Sequence, residues 1–413
     1  MSTESTESTE LPPAGAATAP SSPQGAPGAG RWGVRVLALG VFVVGTGEFV
    51  LAGLLPMLSA SLDVPMAVAG QVITAFALSC AIAAPVLTAL SANWPRRRVL
   101  LFSVFTYLVG SIGTALAPSY AVVLMAQIVA AVGVGVFVPT ASVTAAALVP
   151  AERRGRAIAT TVTGFTVAVA FGAPLGTMLG ELLGWRTTLW FAAALAALGM
   201  LGILVLLPRD LSVPAPTGLR RRLRPLAQGR ILAVLGTTLI GFTAVYIPYT
   251  YIGAVFEPAT SGDGVRLSIL MFVLGAIGTV GNLAAGTLAD RIGSRHVVAA
   301  ALTWLLVSLL VLPFATSHFA AAVGLILCYG VAAFAITTPQ QHRLLALEPG
   351  SASVLVSLNQ AVLYLAIALS GAVGGIGIAW VGTNNLSLIA AALAALALGL
   401  SHLATRLAGP ALD

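Results

Sequence analysis

The sequence predicts an all-helical integral membrane protein whose twelve transmembrane helices form two pseudo-symmetric bundles of six. Three observations support this fold class. The 413 residues are 58% hydrophobic and only 8% charged. Apolar runs long enough to cross a bilayer recur twelve times along the chain. The second half of the chain repeats a polar loop of the first half at a fixed offset.

The composition excludes several classes of protein. A soluble domain averages about 25% charged residues, and the mean hydropathy here is +1.00. No compact soluble fold could keep so much apolar surface from water, so lipid is the expected solvent. A soluble enzyme, a disordered chain and most nucleic-acid binders are therefore excluded, although the net charge is +7.

The twelve apolar runs are predicted to be helices rather than barrel strands. A helix needs about 20 apolar residues to cross the hydrocarbon, whereas a barrel strand has about ten residues of alternating polarity. Each run is long and rich in Ala, Leu and Gly. The runs cover approximately residues 34–58, 68–91, 99–117, 121–148, 157–180, 187–208, 230–256, 267–288, 297–315, 319–340, 353–379 and 383–405.

The arginines predict how the spans are oriented. All 20 basic residues are Arg. If the N-terminus is cytoplasmic, the outer loops hold only Arg186 and Arg266, and the other 18, including Arg343 in the loop after the tenth run, face the cytoplasm. Cytoplasmic loops of membrane proteins are enriched in Arg and Lys. We therefore expect a multi-pass protein of the inner membrane with both termini in the cytoplasm.

The chain is predicted to divide into five segments. Residues 1–30 form a disordered cytoplasmic tail, because their Ser, Thr, Pro and Gly cannot bury enough apolar surface to order themselves. A six-helix bundle over 31–208 is followed by a basic linker over 209–229, a second bundle over 230–406 and a short tail over 407–413. The linker is expected to lie against anionic lipid, with a regulatory partner site as the alternative.

The polar loops after the second and eighth runs form an internal repeat. TALSANWPRRR (88–98) and GTLADRIGSRH (286–296) superpose without gaps at an offset of 198 residues, which pairs Leu90 with Leu288 and Arg97 with Arg295. Two repeated halves suit alternating access, in which the halves rock about a site at the membrane midplane.

The same loops are candidates for a conformational gate. Gly293 permits a tight turn, and the Asp290 carboxylate can meet a helix N-terminus or an arginine. Ala92 stands where Asp290 stands in the second copy, so the first copy retains only its arginines. The alternative is that these charges only set topology. The gate candidates are Gly286, Asp290, Arg291, Gly293, Arg295, Arg96, Arg97 and Arg98.

Glu48 is the acidic residue predicted to lie deep in the membrane. It belongs to GTGEFVLAGLLP (45–56), about 14 residues from the cytoplasmic end of the first run. An ionised acid at a helix centre costs about 2.5–3.5 kcal/mol on insertion scales, so the protonated state is cheaper. One interpretation is a carboxyl that loads and unloads a proton. The alternative is a protonated Glu that hydrogen-bonds another helix.

The fifth run carries a stripe of small residues in GAPLGTMLGELLGWR (172–186). Gly172, Gly176 and Gly180 recur every four residues and so share one helix face, where they allow close helix packing. Pro174 within the stripe is expected to bend the helix.

Polar and aromatic side chains inside several runs are candidates for a substrate cavity. Such groups in a largely apolar cavity suit a neutral or weakly polar organic molecule. Ordinary helix packing is the alternative for each of them. The candidates are Gln127, Tyr246, Tyr249, Phe334, Thr337, Asn359, Gln360 and Tyr364.

Several of these segments together resemble a known family. GTGEFVLAGLLP (45–56), WPRRRVLL (94–101), GAPLGTMLG (172–180) and GELLGWR (180–186) resemble drug:proton antiporters of the major facilitator superfamily, in particular bacterial chloramphenicol-resistance and arabinose-efflux-like permeases. GTLADRIGSR (286–295) is similar to the loop signature of that superfamily. The resemblance covers roughly residues 33–406 and implies twelve helices around a central cavity, with an antiporter motif in the fifth. Gln127 stands where many proton-coupled members have Arg.

The resemblance implies proton-coupled efflux of a small organic molecule, such as a phenicol-like antibiotic, by a monomer. Its expected partners are that molecule, protons and the lipid bilayer. The proton-motive force would drive transport without a cofactor, because the chain has no phosphate-binding loop and its four His share no metal-ligand spacing. A sugar or metabolite exporter or a proton symporter of the same fold remains an alternative. A polytopic membrane enzyme or sensor is a remote one, because no polar gap between runs exceeds about 20 residues.

Overall fold

The computed structural model describes residues 29–91, 93–209, 224–348 and 351–408. The predicted tail up to residue 28, Ala92, the linker segment 210–223 and the C-terminal residues 409–413 lie outside this description. The described part of the chain is helical and contains no strand.

Twelve helices are long and apolar enough to cross a membrane, which confirms the predicted fold class and number of spans. Each overlaps one predicted run, and the ends differ by a few residues because several helices continue into the polar residues of the loops. Labelled α1 to α12 in chain order, they are Trp32–Leu62, Met66–Thr88, Arg96–Ala115, Tyr120–Ala147, Arg154–Leu183, Trp185–Leu206, Gly229–Thr250, Gly264–Ile292, Ser294–Ala315, Phe319–Leu347, Val354–Val381 and Leu386–Leu407.

Three of the spans are interrupted. The first turn of α2, Met66–Ala69, is separated from the rest of that helix by Gly70, and α10 is broken at Ile336. In α5 a π-helical turn covers Ala168–Gly172, directly before Pro174. Pro174 has no backbone N–H, so the carbonyl four residues earlier loses its helical partner, and a π turn accommodates the mismatch.

The internal repeat extends from the loops to the helices. The helical stretch Arg154–Leu183 and the helix Ala352–Val381 begin and end at the same offset of 198 residues. α3 and α9 begin at that offset too, at Arg96 and Ser294. Within the first bundle α1 packs on α5 and α6, and in the second α7 packs on α11 and α12. The fold is therefore two pseudo-symmetric six-helix bundles.

Small residues set the distance between helices inside each bundle. A Cβ on Gly110 of α3 would lie 2.6 Å from the Ala126 carbonyl oxygen of α4, and Gly133 of α4 meets the backbone of Ser103 and Tyr107 in return. Lipid tails are as apolar as leucine, so close van der Waals packing of backbones replaces the hydrophobic effect as the source of helix association.

The two bundles meet through two pairs of helices that are related by the repeat. α2 packs against α11, and α5 packs against α8. At one end of the molecule the described chain begins at residue 29 and stops at residue 408, and the loops around Arg96–Arg98, Arg153–Arg156 and Arg291–Arg295 lie there too. This end is called the Arg-rich end below. The opposite end, which carries residues 63–65, 251–263 and 382–385, is called the far end.

Replacing Gly110 by valine is expected to destabilise the first bundle. The added methyl groups would overlap the α4 backbone, and overpacking of this kind costs about 1–3 kcal/mol. Gly199→Val in α6 is the matched control, because a Cβ there meets nothing within 4 Å. The melting temperature of the purified protein in detergent should fall for Gly110→Val and stay near the wild-type value for Gly199→Val. Equal melting temperatures would contradict this view of the packing.

Candidate functional site

Glu48 lies at the centre of α1, between the two bundles, and only 7% of the residue is exposed. The other described acidic residues lie in loops or near helix ends, namely Asp63, Glu152, Glu181, Glu257, Asp263, Asp290 and Glu348. Its place in the middle of a helix follows from the apolar run around it, and its place at the bundle interface follows from the packing of α1.

The Glu48 carboxyl has few partners. Tyr364 of α11, in the other bundle, donates its hydroxyl to Glu48 Oε2 at 3.5 Å. Glu48 Oε1 is buried and has no hydrogen-bond partner among the described residues. No described arginine lies within ion-pair distance of it. A buried carboxylate with one long hydrogen bond and no cation is costly when ionised, so this group is well placed to accept a proton.

Aromatic residues of the second bundle form the opposite wall of a small cavity at Glu48. Tyr246 and Tyr249 of α7 line it, and their ring centroids lie 6.0 Å apart. Tyr249 also donates its hydroxyl to the Phe49 carbonyl at 3.2 Å, across the bundle interface. The cavity has room for little more than a water molecule. Three predicted candidates, Tyr246, Tyr249 and Tyr364, are thus brought together with Glu48.

The other predicted cavity residues lie elsewhere. Gln127 is buried in α4, and its amide donates to Thr114 of α3 at 3.1 Å, away from the Glu48 cavity. Phe334 packs against Gly278 of α8. Thr337 is half-buried at the break in α10. Their roles in binding stay predictions.

Asn359 and Gln360 lie on α11, on the side of Tyr364 nearer the Arg-rich end. Gln360 lies about one turn before Tyr364. Asn359 accepts a hydrogen bond from Thr238 of α7 at 3.2 Å. Both amides are half-buried.

Residues that the sequence analysis did not select join the bundles at the far end. The Gly371 carbonyl of α11 accepts a hydrogen bond from Gln71 of α2 at 3.2 Å. Tyr251, in the same bundle as Gly371, also donates to this carbonyl at 2.7 Å, and its ring packs against Gly70 of α2. Thr177 of α5 meets the Met271 sulfur of α8 at 3.5 Å. A lone Gln or Tyr within an apolar run carries no sequence signal for such a contact. These contacts, like those of Tyr249 with Phe49 and of Tyr364 with Glu48, lie at the centre or toward the far end, so the far end is closed.

The glycine stripe of α5 faces α1. A Cβ on Gly176 would lie 2.6 Å from Val50, and one on Gly180 would lie 2.6 Å from Leu54. Gly172 is seated against Thr46 in the same way. The stripe therefore packs α5 within its own bundle. The contact with α8 is made by neighbouring residues of α5, among them Phe171, whose ring centroid lies 5.4 Å from that of Phe272.

The gate candidates lie at the Arg-rich end. Gly293 ends α8 with φ of 87°, a conformation that favours glycine. Gly286 of α8 packs against Thr338 of α10. Asp290 and Arg291 are exposed and form no hydrogen bond or ion pair within the described residues. A latch through Asp290 remains a prediction.

The first copy of this loop is held by its arginines. Arg97 donates to the Leu204 carbonyl in the last turn of α6, where a cation is favoured by the helix dipole. Arg96 is buried beside it, and Arg98 is exposed. Ala92 lies outside the described residues, so the effect of the missing carboxylate there is not described by the structure.

Known proteins share this sequence and fold. The sequence model of the Major Facilitator Superfamily matches residues 37–371. The inner membrane transport protein YdhP of Escherichia coli (strain K12) is 32% identical over 372 residues, or 90% of this chain and 95% of that protein. A chloramphenicol resistance protein of Streptomyces lividans is 32% identical over 331 residues, or 79% and 84%. An inward-facing, occupied structure of a bacterial homologue of the human lysosomal transporter Spinster matches with a TM-score of 0.76 at 15% identity, over 90% of this chain and 96% of that one.

Replacing Gly371 by valine is expected to hold the far end open. A Cβ at this position would overlap the Thr74 hydroxyl and lie 3.1 Å from the Gly70 carbonyl oxygen, so α2 and α11 could not approach. Spin labels at Asp63→Cys and Asn384→Cys, one on each bundle at the far end, should move apart in electron-spin distance measurements. Gly399→Val, where a Cβ meets nothing within 4 Å, should leave the distance distribution unchanged. An unchanged distribution in Gly371→Val would show that this contact does not control closure.

Proposed function

This chain belongs to the major facilitator superfamily, and we propose that it is a proton-coupled antiporter that exports a small organic molecule from the cytoplasm. The observation that carries the proposal is the position of Glu48. It is a buried acid without a cation partner, in contact with the opposite bundle through Tyr364. A group of this kind changes its surroundings whenever the two bundles move relative to each other.

The transport cycle uses Glu48 as the proton carrier. With the far end open, Glu48 takes a proton from outside. With the far end closed, as described here, Glu48 releases the proton toward the Arg-rich end and substrate enters. Proton and substrate are linked because each binds better in one of the two states. The loop around Asp290 and Arg291, together with Arg96–Arg98, is the proposed latch that biases this equilibrium.

The energetics permit this exchange. One proton that crosses about 100 mV and one pH unit releases roughly 2.3 plus 1.4 kcal/mol. That free energy sustains a gradient of more than about a hundredfold for a neutral solute.

Relatives support a substrate class and a location. A relative from Streptomyces lividans is named for chloramphenicol resistance, and one from Escherichia coli is named as an inner membrane transporter. We therefore propose phenicol-like antibiotics as substrates and the cytoplasmic membrane as the location. The small cavity beside Glu48 is lined mainly by apolar and aromatic residues, and such a lining would favour a largely apolar solute once the bundles separate there.

Glu48→Gln is expected to abolish proton-driven exchange while preserving the fold, because glutamine keeps the shape and hydrogen bonding of a protonated Glu but cannot release a proton. Purified protein in liposomes with an imposed pH gradient should accumulate labelled chloramphenicol only when Glu48 is intact. Glu181→Gln, which removes an exposed acid near the far end of α5, is the control and should transport normally. Uphill transport by Glu48→Gln would place the carrier elsewhere. Transport in the same direction as the proton would indicate symport.

The orientation of the helices is tested by labelling. In a variant lacking Cys80 and Cys328, Asn384→Cys at the far end should react with a membrane-impermeant maleimide on intact cells. Glu152→Cys at the Arg-rich end should react only after the membrane is opened. Both side chains are exposed, so access to the reagent depends on the side of the membrane. The reverse pattern would contradict a cytoplasmic Arg-rich end.

A further inference from the structure

The second bundle contains a buried arginine that the sequence analysis placed in a loop. α10 continues past the predicted end of its run to Leu347, and Arg343 is therefore inside the helix with 1% of the residue exposed. It donates to the Ser401 hydroxyl of α12 at 2.8 Å and to Gln340 Oε1 at 3.2 Å. Its described partners are all uncharged. A guanidinium has five donors and no acceptor, so it fixes the direction of every hydrogen bond it makes.

The arginine fixes the orientation of the Gln340 amide. Arg343 can only donate, so the atom that faces it must be Oε1. The opposite atom, Nε2, donates to the Val234 carbonyl of α7 at 2.7 Å, and a carbonyl can only accept. The two constraints agree and leave one orientation. Nε2 also donates to the Thr238 hydroxyl at 3.2 Å.

The Thr238 hydroxyl extends this donor-to-acceptor direction to Asn359. The Val234 carbonyl already accepts from Gln340 and from the N–H one turn ahead in α7, which uses both of its lone pairs. The Thr238 hydroxyl lies 3.3 Å from this carbonyl and 3.2 Å from Asn359 Oδ1. Because the carbonyl is already occupied, Asn359 Oδ1 is the acceptor with a free lone pair, and we assign the Thr238 proton to it. Each bond from Arg343 to Asn359 runs from donor to acceptor in the same sense.

The last group in this series is the Asn359 amide nitrogen. It makes no hydrogen bond to a described residue, and it is not among the buried polar atoms that lack a partner, so it remains accessible. Asn359 lies five residues before Tyr364 on α11, which is about 7.5 Å along the helix axis. Tyr364 in turn contacts Glu48. An open donor pair thus stands about one and a half turns from Tyr364, the residue that contacts the proposed proton carrier, toward the Arg-rich end.

We propose that Asn359 is a specificity-determining residue that binds an oxygen acceptor of the substrate, such as a nitro, carbonyl or sulfonyl oxygen, and disfavours lipophilic cations. This inference rests on the proposed function for the existence of a substrate, and it adds the chemical class. The series that begins at Arg343 holds the Asn359 oxygen away from the ligand and leaves only the N–H₂ group to it. A cationic ligand would find a donor where it needs an acceptor, and the buried positive charge of Arg343 opposes it as well.

The test is equilibrium binding of labelled chloramphenicol and of tetraphenylphosphonium to the full-length protein in nanodiscs without a gradient. Asn359→Leu removes the donor, and Asn359→Asp replaces it with an anionic acceptor of the same shape. Chloramphenicol affinity should decrease from Asn through Leu to Asp, by about tenfold for Leu and by more for Asp. Tetraphenylphosphonium should bind Asn359→Asp more tightly than the wild type.

A matched pair of threonine variants tests the series itself. Thr238→Val removes the hydroxyl that orients Asn359 and should weaken chloramphenicol binding several-fold. Thr237→Val is its control, because that buried hydroxyl bonds only to the Ala233 carbonyl of its own helix at 2.9 Å, and its affinity should be that of the wild type. Thermal unfolding of both variants in detergent distinguishes a loss of folding from a loss of the Asn359 orientation.

Two results would overturn the inference. One is chloramphenicol affinity in Asn359→Asp equal to or higher than that of the wild type. The other is a wild type that binds tetraphenylphosphonium in preference to chloramphenicol. Binding is measured without a proton gradient, so it does not depend on proton-coupled transport. The same Asn359 variants in a Glu48→Gln background therefore test the role of Asn359 separately from the proposed antiport. Retained selectivity together with no proton exchange in the wild type would refute antiport and leave the role of Asn359 intact.

Discussion

The structure depends on the scarcity of hydrogen-bonding partners in the hydrocarbon core of the membrane. A polar group inside a bilayer must find its partner within the protein or bear the cost of having none. Most polar side chains here solve this locally. Thr144, for example, donates to the Thr140 carbonyl of its own helix at 2.7 Å. Two charged or ionisable groups in the spans depend on other helices instead: Glu48 meets the other bundle, and Arg343 ties α10 to α12.

Glu48 and Arg343 differ in how their surroundings respond to motion of the bundles. Glu48 lies where the bundles touch, so its surroundings change when they move. Arg343 lies within one bundle and is held by several hydrogen bonds to α10 and α12, so its surroundings stay the same. A proton carrier needs an environment that changes during transport, whereas a group that determines ligand specificity needs one that stays the same. Asn359 joins them in space, because it ends the series from Arg343 and stands on the helix whose Tyr364 reaches Glu48.

Small residues and few hydrogen bonds characterise the contacts within and between the bundles. Inside the first bundle, the α5 glycines seat that helix on α1 with little room for change. Between the bundles, the hydrogen bonds are few and include Gln71 to the Gly371 carbonyl and Thr177 to the Met271 sulfur. The bundles also approach closely, since a Cβ on Gly275 of α8 would lie 2.5 Å from the Ala170 Cα of α5. Few hydrogen bonds would have to break for the two bundles to rock against each other.

Local properties of the sequence determined the number of helices, the two-bundle repeat and the presence of a deep acid at Glu48, because hydropathy, charge and a 198-residue offset can be read without knowing any contact. Only the tertiary structure decided which residues meet. Tyr364 reaches Glu48 from 316 positions away, and no local pattern encodes such a pairing. The sequence analysis also did not predict the full length of α10, because the polar end of that helix is typical of a loop. In the structure this end is helical and packs against α12, which buries Arg343. Hydropathy reports whether a residue can enter lipid, whereas partner and direction of a hydrogen bond depend on the geometry of helices that fold together.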